Sequence, residues 1–239
     1  MVMVLAMSNT SIDKKRRIIV FAPHPDDETL GCGGTIAKKL AEGYQVIIVV
    51  MTDGRFLLLK SFRIDYDPSP EQVKEIRRGE VLRATKILGV PKENVIFLDF
   101  VDGTLKENEE VAEEKVAEIL ERYAPSEVYF PFERDAHLDH QATNRIVRRA
   151  VENLGIKIMM YRYTIMHKAA RFGPLIEFLA SIFKRDRIYI DVSEFLPLKK
   201  EAVKEFKSEL TAISPKQSKP HAKDFKKFLK KRETFYIDK

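Results

Sequence analysis

A single cysteine, Cys32, stands in a chain of 239 residues, which excludes an intrachain disulfide and suits a reducing compartment. The apolar opening MVMVLAM is too short to span a bilayer, which takes about 20 apolar residues. It also lacks the positive start and the cleavage site of a secretory signal, and Met7 is an alternative start. The expected location is the cytoplasm, with no membrane partner. Neither an internal repeat nor a low-complexity linker interrupts the chain. The glycines after residue 30 do not make the dinucleotide fingerprint: counted from Gly31 and Gly33, its third position falls on Ile36.

What is present is a chain with 44% hydrophobic and 33% charged residues, long enough for a sizeable core. The charged share exceeds the usual value of about 25% and points toward heat stability. Basic residues outnumber acidic ones 42 to 36, for a net charge of +6. Much of the excess falls at 216–232, where anions or nucleic acid would be attracted. Phe225 and Phe228 sit three apart there, as a helical core stripe would. The expectation is a solvated helix face and no nucleic-acid partner. A nucleic-acid binder would instead lose affinity steeply with salt.

The chain is organised around 17–34, RIIVFAPHPDDETLGCGG. Residues 18–22 read as a buried strand, rich in β-branched and aromatic types. Pro23 and Pro25 stop it, because neither has an N–H for a ladder bond. His24, Asp26, Asp27 and Glu28 follow at its carboxyl end. Unpaired buried charge is strongly unfavourable, and a divalent metal would neutralise it. The crevice beyond strand carboxyl ends is also where open α/β sheets bind ligands. The competing reading is a polar loop with Asp26 or Asp27 as a helix cap. Gly31, Gly33 and Gly34 are read as allowing a tight turn and close packing, before a helix over 35–42 ended by Gly43.

Residues 44–51 form a second apolar strand, with Thr52, Asp53, Gly54 and Arg55 at the same rim. The connection 56–70 has no clear assignment and is placed to shape a substrate site. Residues 71–88 are helical in spacing, with Val73, Ile76, Val81, Leu82 and Leu88 toward the core. A third strand (95–98) leads to Asp99, Asp102 and Gly103, then a helix over 111–123. A fourth strand (127–130) stopped by Pro131 leads to His137-Leu138-Asp139-His140 and a helix over 141–151. Residues 156–163 read as a fifth strand. Beyond 164, 180–183 and 188–190 are apolar, 191–193 is a candidate helix start, and 198–210 and 221–231 are read as helices. Apolar strands alternating with helices predict an α/β, Rossmann-like, mostly parallel sheet covered on both faces. The expected organisation is a single domain, with a core over 13–163 and a C-terminal helical and strand appendage over 164–239.

Two strand-end clusters thus fall on one rim: His24, Asp26 and Asp27, and His137, Asp139 and His140. Three imidazole and carboxylate ligands plus water make a catalytic zinc site, and the same donors suit iron(II). On these residues the sequence resembles the LmbE/PIG-L superfamily of zinc-dependent N-deacetylases. The family's A-[HP]-H-P-D-D-E reads here as Ala22-Pro23-His24-Pro25-Asp26-Asp27-Glu28, and its H-x-D-H as His137-Leu138-Asp139-His140. Thr52-Asp53-Gly54, the helix positions Arg77, Glu80, Ala84 and Leu88-Gly89, and Asp102-Gly103 match weaker features. The resemblance covers 17–150 well; 200–210 and the closing Glu233 to Phe235 match more loosely.

The resemblance implies a role for each residue. His24, Asp27 and His140 would hold one Zn2+ per chain. Asp26 would be the general base, His137 would polarise the amide carbonyl or protonate the leaving amine, and Asp139 would tune a histidine. Arg77 and Asp102 would grip substrate, and Arg55 on the rim is a further candidate. A positively charged imidazole would stabilise the oxyanion. The implied reaction removes acetyl from an N-acetylglucosamine-type sugar. Rival readings are the same chemistry on a thiol-sugar or antibiotic-like amide, and a non-catalytic metal- or nucleic-acid-binding module. Asp26, not needed as a ligand, argues against a mere scaffold. Cys32 reads as a packed residue, His167 and His221 as non-ligands, and Tyr161 and Tyr163 as core or sheet face. Glu28 is open between a partner to a ligand and a first-turn carboxylate. The substrate partner is a small amino sugar, and a homo-oligomer stays open.

Overall fold

The computed structural model describes residues 16–165, 187–222 and 224–237. The expectations for the opening segment, His167 and 180–183 lie outside them. Five strands run parallel: β1 (Arg17–Ala22), β2 (Gln45–Thr52), β3 (Val95–Phe100), β4 (Glu127–Pro131) and β5 (Met159–Tyr163). Two more, β6 (Arg187–Asp191) and β7 (Arg232–Ile237), extend the sheet antiparallel, in the order β3-β2-β1-β4-β5-β7-β6. The α/β class is as expected from the sequence.

Strand alternation divides the core between two faces. Ile18, Val20, Ile48 and Val50 point to one cluster, and Ile19, Phe21, Ile47 and Val49 to the other. The first face is covered by α1 (Asp27–Ala41), α3 (Pro70–Ile87) and C-terminal residues including Ala202, Phe206 and Phe235. The second is covered by α4 (Glu109–Tyr123) and α5 (Leu138–Asn153). The order reverses at β1, whose neighbours β2 and β4 lead the chain in opposite directions. The turns after β1 and β4 therefore part and leave a crevice. Among the described residues, no helix is long and apolar enough to cross a membrane.

Four expectations need correction. Helix α1 starts at Asp27, not 35, so Gly31, Gly33 and Gly34 lie inside it rather than in a turn. Their use is close packing: a Cβ on Gly34 would stand 2.6 Å from Val192 Cβ, and one on Gly31 2.6 Å from the Tyr163 ring. Gly34→Val is expected to lower the unfolding free energy by about 1–3 kcal/mol through overpacking. An unchanged denaturation midpoint would show that the space exists. On α3, Ile76 and Leu82 are only half-buried, while Arg77 and Glu80 are buried.

The helices over 198–210 and 221–231 also differ. The first splits into α6 (Leu196–Val203) and α7 (Lys207–Leu210), with buried Phe206 at the break. In place of the second, a 3₁₀ turn at Lys226–Phe228 precedes β7. Phe225 and Phe228 do pack together, at 6.2 Å. On β7, Glu233 and Phe235 alternate inward, which is strand periodicity. Glu233 accepts from Lys199 Nζ at 2.6 Å and from the amides of Gly34 and Thr35 at 2.9 and 2.8 Å. Lys199 Nζ also donates to the Leu30 carbonyl at 2.8 Å. Both members of the buried pair thereby have further hydrogen bonds besides the one between them, which helps to offset the cost of burying them.

Candidate metal centre and active site

The turn between β1 and α1 is held from behind. The Pro23 carbonyl accepts from Thr52 N at 2.9 Å and Thr52 Oγ1 at 2.8 Å, and the Pro25 carbonyl from Arg77 Nη2 at 2.6 Å. Asp26 takes φ 124°, a conformation L-residues rarely adopt. It occupies the N-cap of α1, yet its side chain makes no capping hydrogen bond. The cap reading therefore does not describe Asp26. Its carboxylate lines a cavity of about 460 Å³ and lies 3.7 Å from Arg77 Nη2. Burial, then Glu209 and Asp27, push its pKa well above the ordinary carboxylate value, against the pull of Arg77.

Three donor atoms close a small triangle beside it. His24 Nδ1 and His140 Nε2 are 3.2 Å apart, and Asp27 Oδ2 lies 3.3 Å from the first and 3.1 Å from the second. Donors around a tetrahedral zinc with bonds of about 2.0–2.2 Å are about 3.3–3.6 Å apart, close to this spacing. Two other groupings also converge: His24 with His137 and His140, and His24 with Asp102 and Asp139, their ligand atoms within 4.8 Å of one another. In the latter, Asp139 already accepts from Gly103 N at 2.8 Å and Leu105 N at 3.2 Å, and Asp102 from Lys60 Nζ at 2.8 Å and Phe56 N at 3.2 Å. The triangle with Asp27 holds its three donors within 3.3 Å of one another, and Asp27 Oδ2 also accepts from His24 N at 3.0 Å.

Behind the triangle, each imidazole has a carboxylate on its far nitrogen. His24 Nε2 lies 3.1 Å from Asp139 Oδ2, and His140 Nδ1 lies 3.2 Å from Asp135 Oδ1. This outer pairing fixes tautomer and ring orientation in metal sites. Asp139 is fully buried and is not among the residues lining the cavity. Sequence reasoning missed Asp135, whose only signal was a carboxylate two residues before His137.

In the metal-free chain the surroundings of the two imidazoles favour their protonated forms. Burial lowers the His140 pKa, but Asp27 and Asp135 outweigh it and push it up to about 9. His24 is likewise raised despite burial, by Asp102, Asp139 and Asp27. Asp27 is lowered: burial opposes its charge, and His140 and His24 outweigh it. A metal needs neutral imidazoles, so binding must expel these protons. The apparent metal affinity is therefore expected to rise with pH, about tenfold per unit for each proton released, until the His140 value near 9 is passed. Calorimetry in buffers of different ionisation enthalpy checks this; no proton release at pH 7 would contradict it.

His137 is the N-cap of α5, and its Nδ1 accepts from Asp139 N at 3.2 Å. Burial, His24 and His140 lower its pKa to about 4. This direction favours a neutral ring over the positively charged imidazole expected from the sequence, and with Nδ1 accepting, Nε2–H is the free donor. The three residues expected to grip substrate are placed differently. Arg77 is buried, with Nη1 on Glu209 Oε1 at 2.9 Å, and lines the cavity beneath Asp26. Asp102 lines the cavity but is engaged by Lys60. Arg55 is not among the cavity residues: its Nε donates to Asp53 Oδ2 at 2.6 Å and its Nη1 to Glu71. Glu28 is buried, with Oε2 accepting from Asp26 N at 3.2 Å, which supports the turn. The remaining walls come from α2 (Leu57–Phe62), inside the unassigned connection, and from the C-terminal His221 and Phe225. His221 is hydrogen-bonded to Glu209 and is not in the triangle.

The sequence model of the family described as "PIG-L: GlcNAc-PI de-N-acetylase" matches residues 19–151, more than half of the chain. A "Probable N-acetyl-alpha-D-glucosaminyl L-malate deacetylase 2" of Bacillus cereus is 30% identical over 59% of this chain and 63% of its own length. "Diacetylchitobiose deacetylase" of Thermococcus kodakarensis is 30% identical over 62% of this chain and 54% of its own length. The matches thus span less than two thirds of these relatives. A solved N,N'-diacetylchitobiose deacetylase from Pyrococcus horikoshii shares the fold, with TM-score 0.69, 22% identity, and coverage of 93% of this chain and 84% of that one.

Proposed function

Since the chain belongs to the PIG-L family, we propose that it is a zinc-dependent hydrolase removing the N-acetyl group from an N-acetylglucosamine-containing sugar or glycoconjugate. The observation that carries the reading is Asp26. It is a buried carboxylate in a rarely adopted backbone conformation that caps no helix, lines the cavity beside three converging metal donors, and has Arg77 3.7 Å away as its counter-charge. The homologous deacetylases named for glucosaminyl substrates support the sugar.

His24, Asp27 and His140 would hold one Zn2+, whose chemistry is to acidify water and polarise the carbonyl. Asp26 takes the proton of the attacking water as the oxygen adds to the amide carbon. Its raised pKa suits a base that must later act as an acid. His137 Nε2–H donates to the carbonyl oxygen as negative charge develops there. Asp26 then returns the proton to the leaving nitrogen, the C–N bond breaks, and acetate and the free amine separate. Arg77 and Asp102 take supporting places around the base and α2, and we read the chain as one domain, because Phe206 and Phe235 share the core of β1 and β2. The test is acetate release by zinc-reconstituted protein from N-acetylglucosamine, its β-linked oligomers and glucosaminyl conjugates. Release from at least one, abolished by a chelator, is expected. No release from any, with stoichiometric zinc bound, would remove the proposal.

A further inference from the structure

A general base works only with an oxygen free to meet water. Among the described residues, no hydrogen bond reaches the Asp26 carboxylate, although Arg77 Nη2 stands 3.7 Å from Oδ2. A guanidinium beside a carboxylate usually closes to about 2.7–2.9 Å. This one is held back from the other side.

Arg77 Nη1 donates to Glu209 Oε1 at 2.9 Å, and Nη2 donates to the Pro25 carbonyl at 2.6 Å. The two bonds use both arms of a planar group and so fix its direction. Gly54 closes the Nε side, where a Cβ would stand 2.8 Å from Nε. Glu209, on α7, is itself pinned. Burial opposes its charge, but Arg77 and His221 outweigh it and lower its pKa. Its second oxygen therefore accepts from His221 Nδ1, and its backbone carbonyl accepts from Ala222 N at 2.8 Å. The His221 ring meets Phe62 of α2 edge-on, at 6.3 Å. One string thus runs from the C-terminal segment to the base: His221, Glu209, Arg77, Asp26.

The charges of Glu209, Asp26, Asp102 and Glu80 all act on Arg77. Glu80 is taken by Ser208 N at 2.8 Å and Ser208 Oγ at 2.6 Å, and Asp102 by Lys60 Nζ and Phe56 N. A guanidinium released by Glu209 would therefore turn to Asp26 and occupy the oxygen that water needs. We propose that Glu209, steadied by His221, is a positioning residue that keeps Arg77 off Asp26 and leaves the base open to water. The string stands on its own geometry; the use of Asp26 as a base rests on the deacetylase reading.

The test has two arms, both on the full-length, zinc-loaded protein. A crystal structure of Glu209→Ala is expected to show an Arg77 nitrogen within about 3 Å of an Asp26 oxygen. An unmoved Arg77, or one turned away from Asp26, would overturn the proposal whether or not the protein is a deacetylase. In turnover of whichever N-acetylglucosaminyl probe releases acetate, Glu209→Ala should lose about 10–100-fold in kcat, the effect of a misplacement of about 1 Å. KM and bound zinc should not change, the pattern of a group that matters only in the transition state. Glu209→Gln, whose side-chain carbonyl still accepts from Nη1, should recover most of the loss. His221→Ala should fall between the two, and combined with Glu209→Ala should add nothing, as residues acting through one string do. Equal losses in the Ala and Gln variants, additive losses, or a raised KM with kcat intact would overturn the positioning role. Where Glu209→Ala fails to bind zinc, His221→Ala decides: Arg77 closer to Asp26 than 3.7 Å, with kcat reduced at unchanged KM, is the expected result, and no change in either overturns it. If no probe releases acetate with zinc bound, the deacetylase reading falls and the crystallographic arm alone decides the string.

Discussion

Asp26→Asn is expected to lose about 10²–10⁴ in turnover, the usual worth of general acid–base catalysis, while keeping its metal. Asn is nearly isosteric and tolerates positive φ better than most residues, so the turn at φ 124° survives the change. The amide cannot accept the proton of water. None of the three donor atoms in the triangle belongs to Asp26. Metal content and acetate release, measured on the same sample, separate the two roles. Near-full turnover would end the assignment of Asp26 as base. Loss of metal together with activity would place Asp26 among the ligands instead.

His140→Ala should act in the opposite order: metal goes first, and activity with it. Two donors would remain, and buried Asp27 would lose the imidazole 3.1 Å away. Removing an outer partner typically weakens metal binding about 10–100-fold. Asp135→Asn, 3.2 Å behind His140, should fall in that range, and His140→Ala should exceed it. The proton release on metal binding should also drop, because the group with a pKa of about 9 is gone. Equilibrium dialysis against a competing chelator measures all three proteins. Unchanged metal affinity in His140→Ala would remove it from the ligand set.

Both clusters could be read in the sequence because each is local. A strand-ending proline pair followed by His24, Asp26 and Asp27 needs no long-range information to be recognised as a charged strand-end turn. The H-x-D-H run sits at a helix start in the same way. Arg55 failed for the converse reason. Its rim position is local, but its orientation is set by Asp53 and by Glu71, 16 residues further on. Asp135 escaped because a lone carboxylate before a histidine has no signature until α5 turns His140 toward it. The helix expected over 221–231 is only a 3₁₀ turn at Lys226–Phe228, and the strand that follows it exists only where β5 and β6 offer ladder partners.

The sequence by itself determined the donor types, their order and the alternating pattern that makes a parallel sheet. These follow from residue chemistry and from period-two and helical spacing, which act over a few residues. Only the tertiary structure decided which nitrogen of His24 faces the metal donors and which faces Asp139. It alone brought His140, 116 positions away, to 3.2 Å. It also set Arg77 beneath Asp26, on the Pro25 carbonyl and Glu209, at the wall of the cavity. Those outcomes depend on the reversal of strand order at β1 and on side-chain directions fixed by packing, and no local pattern encodes either.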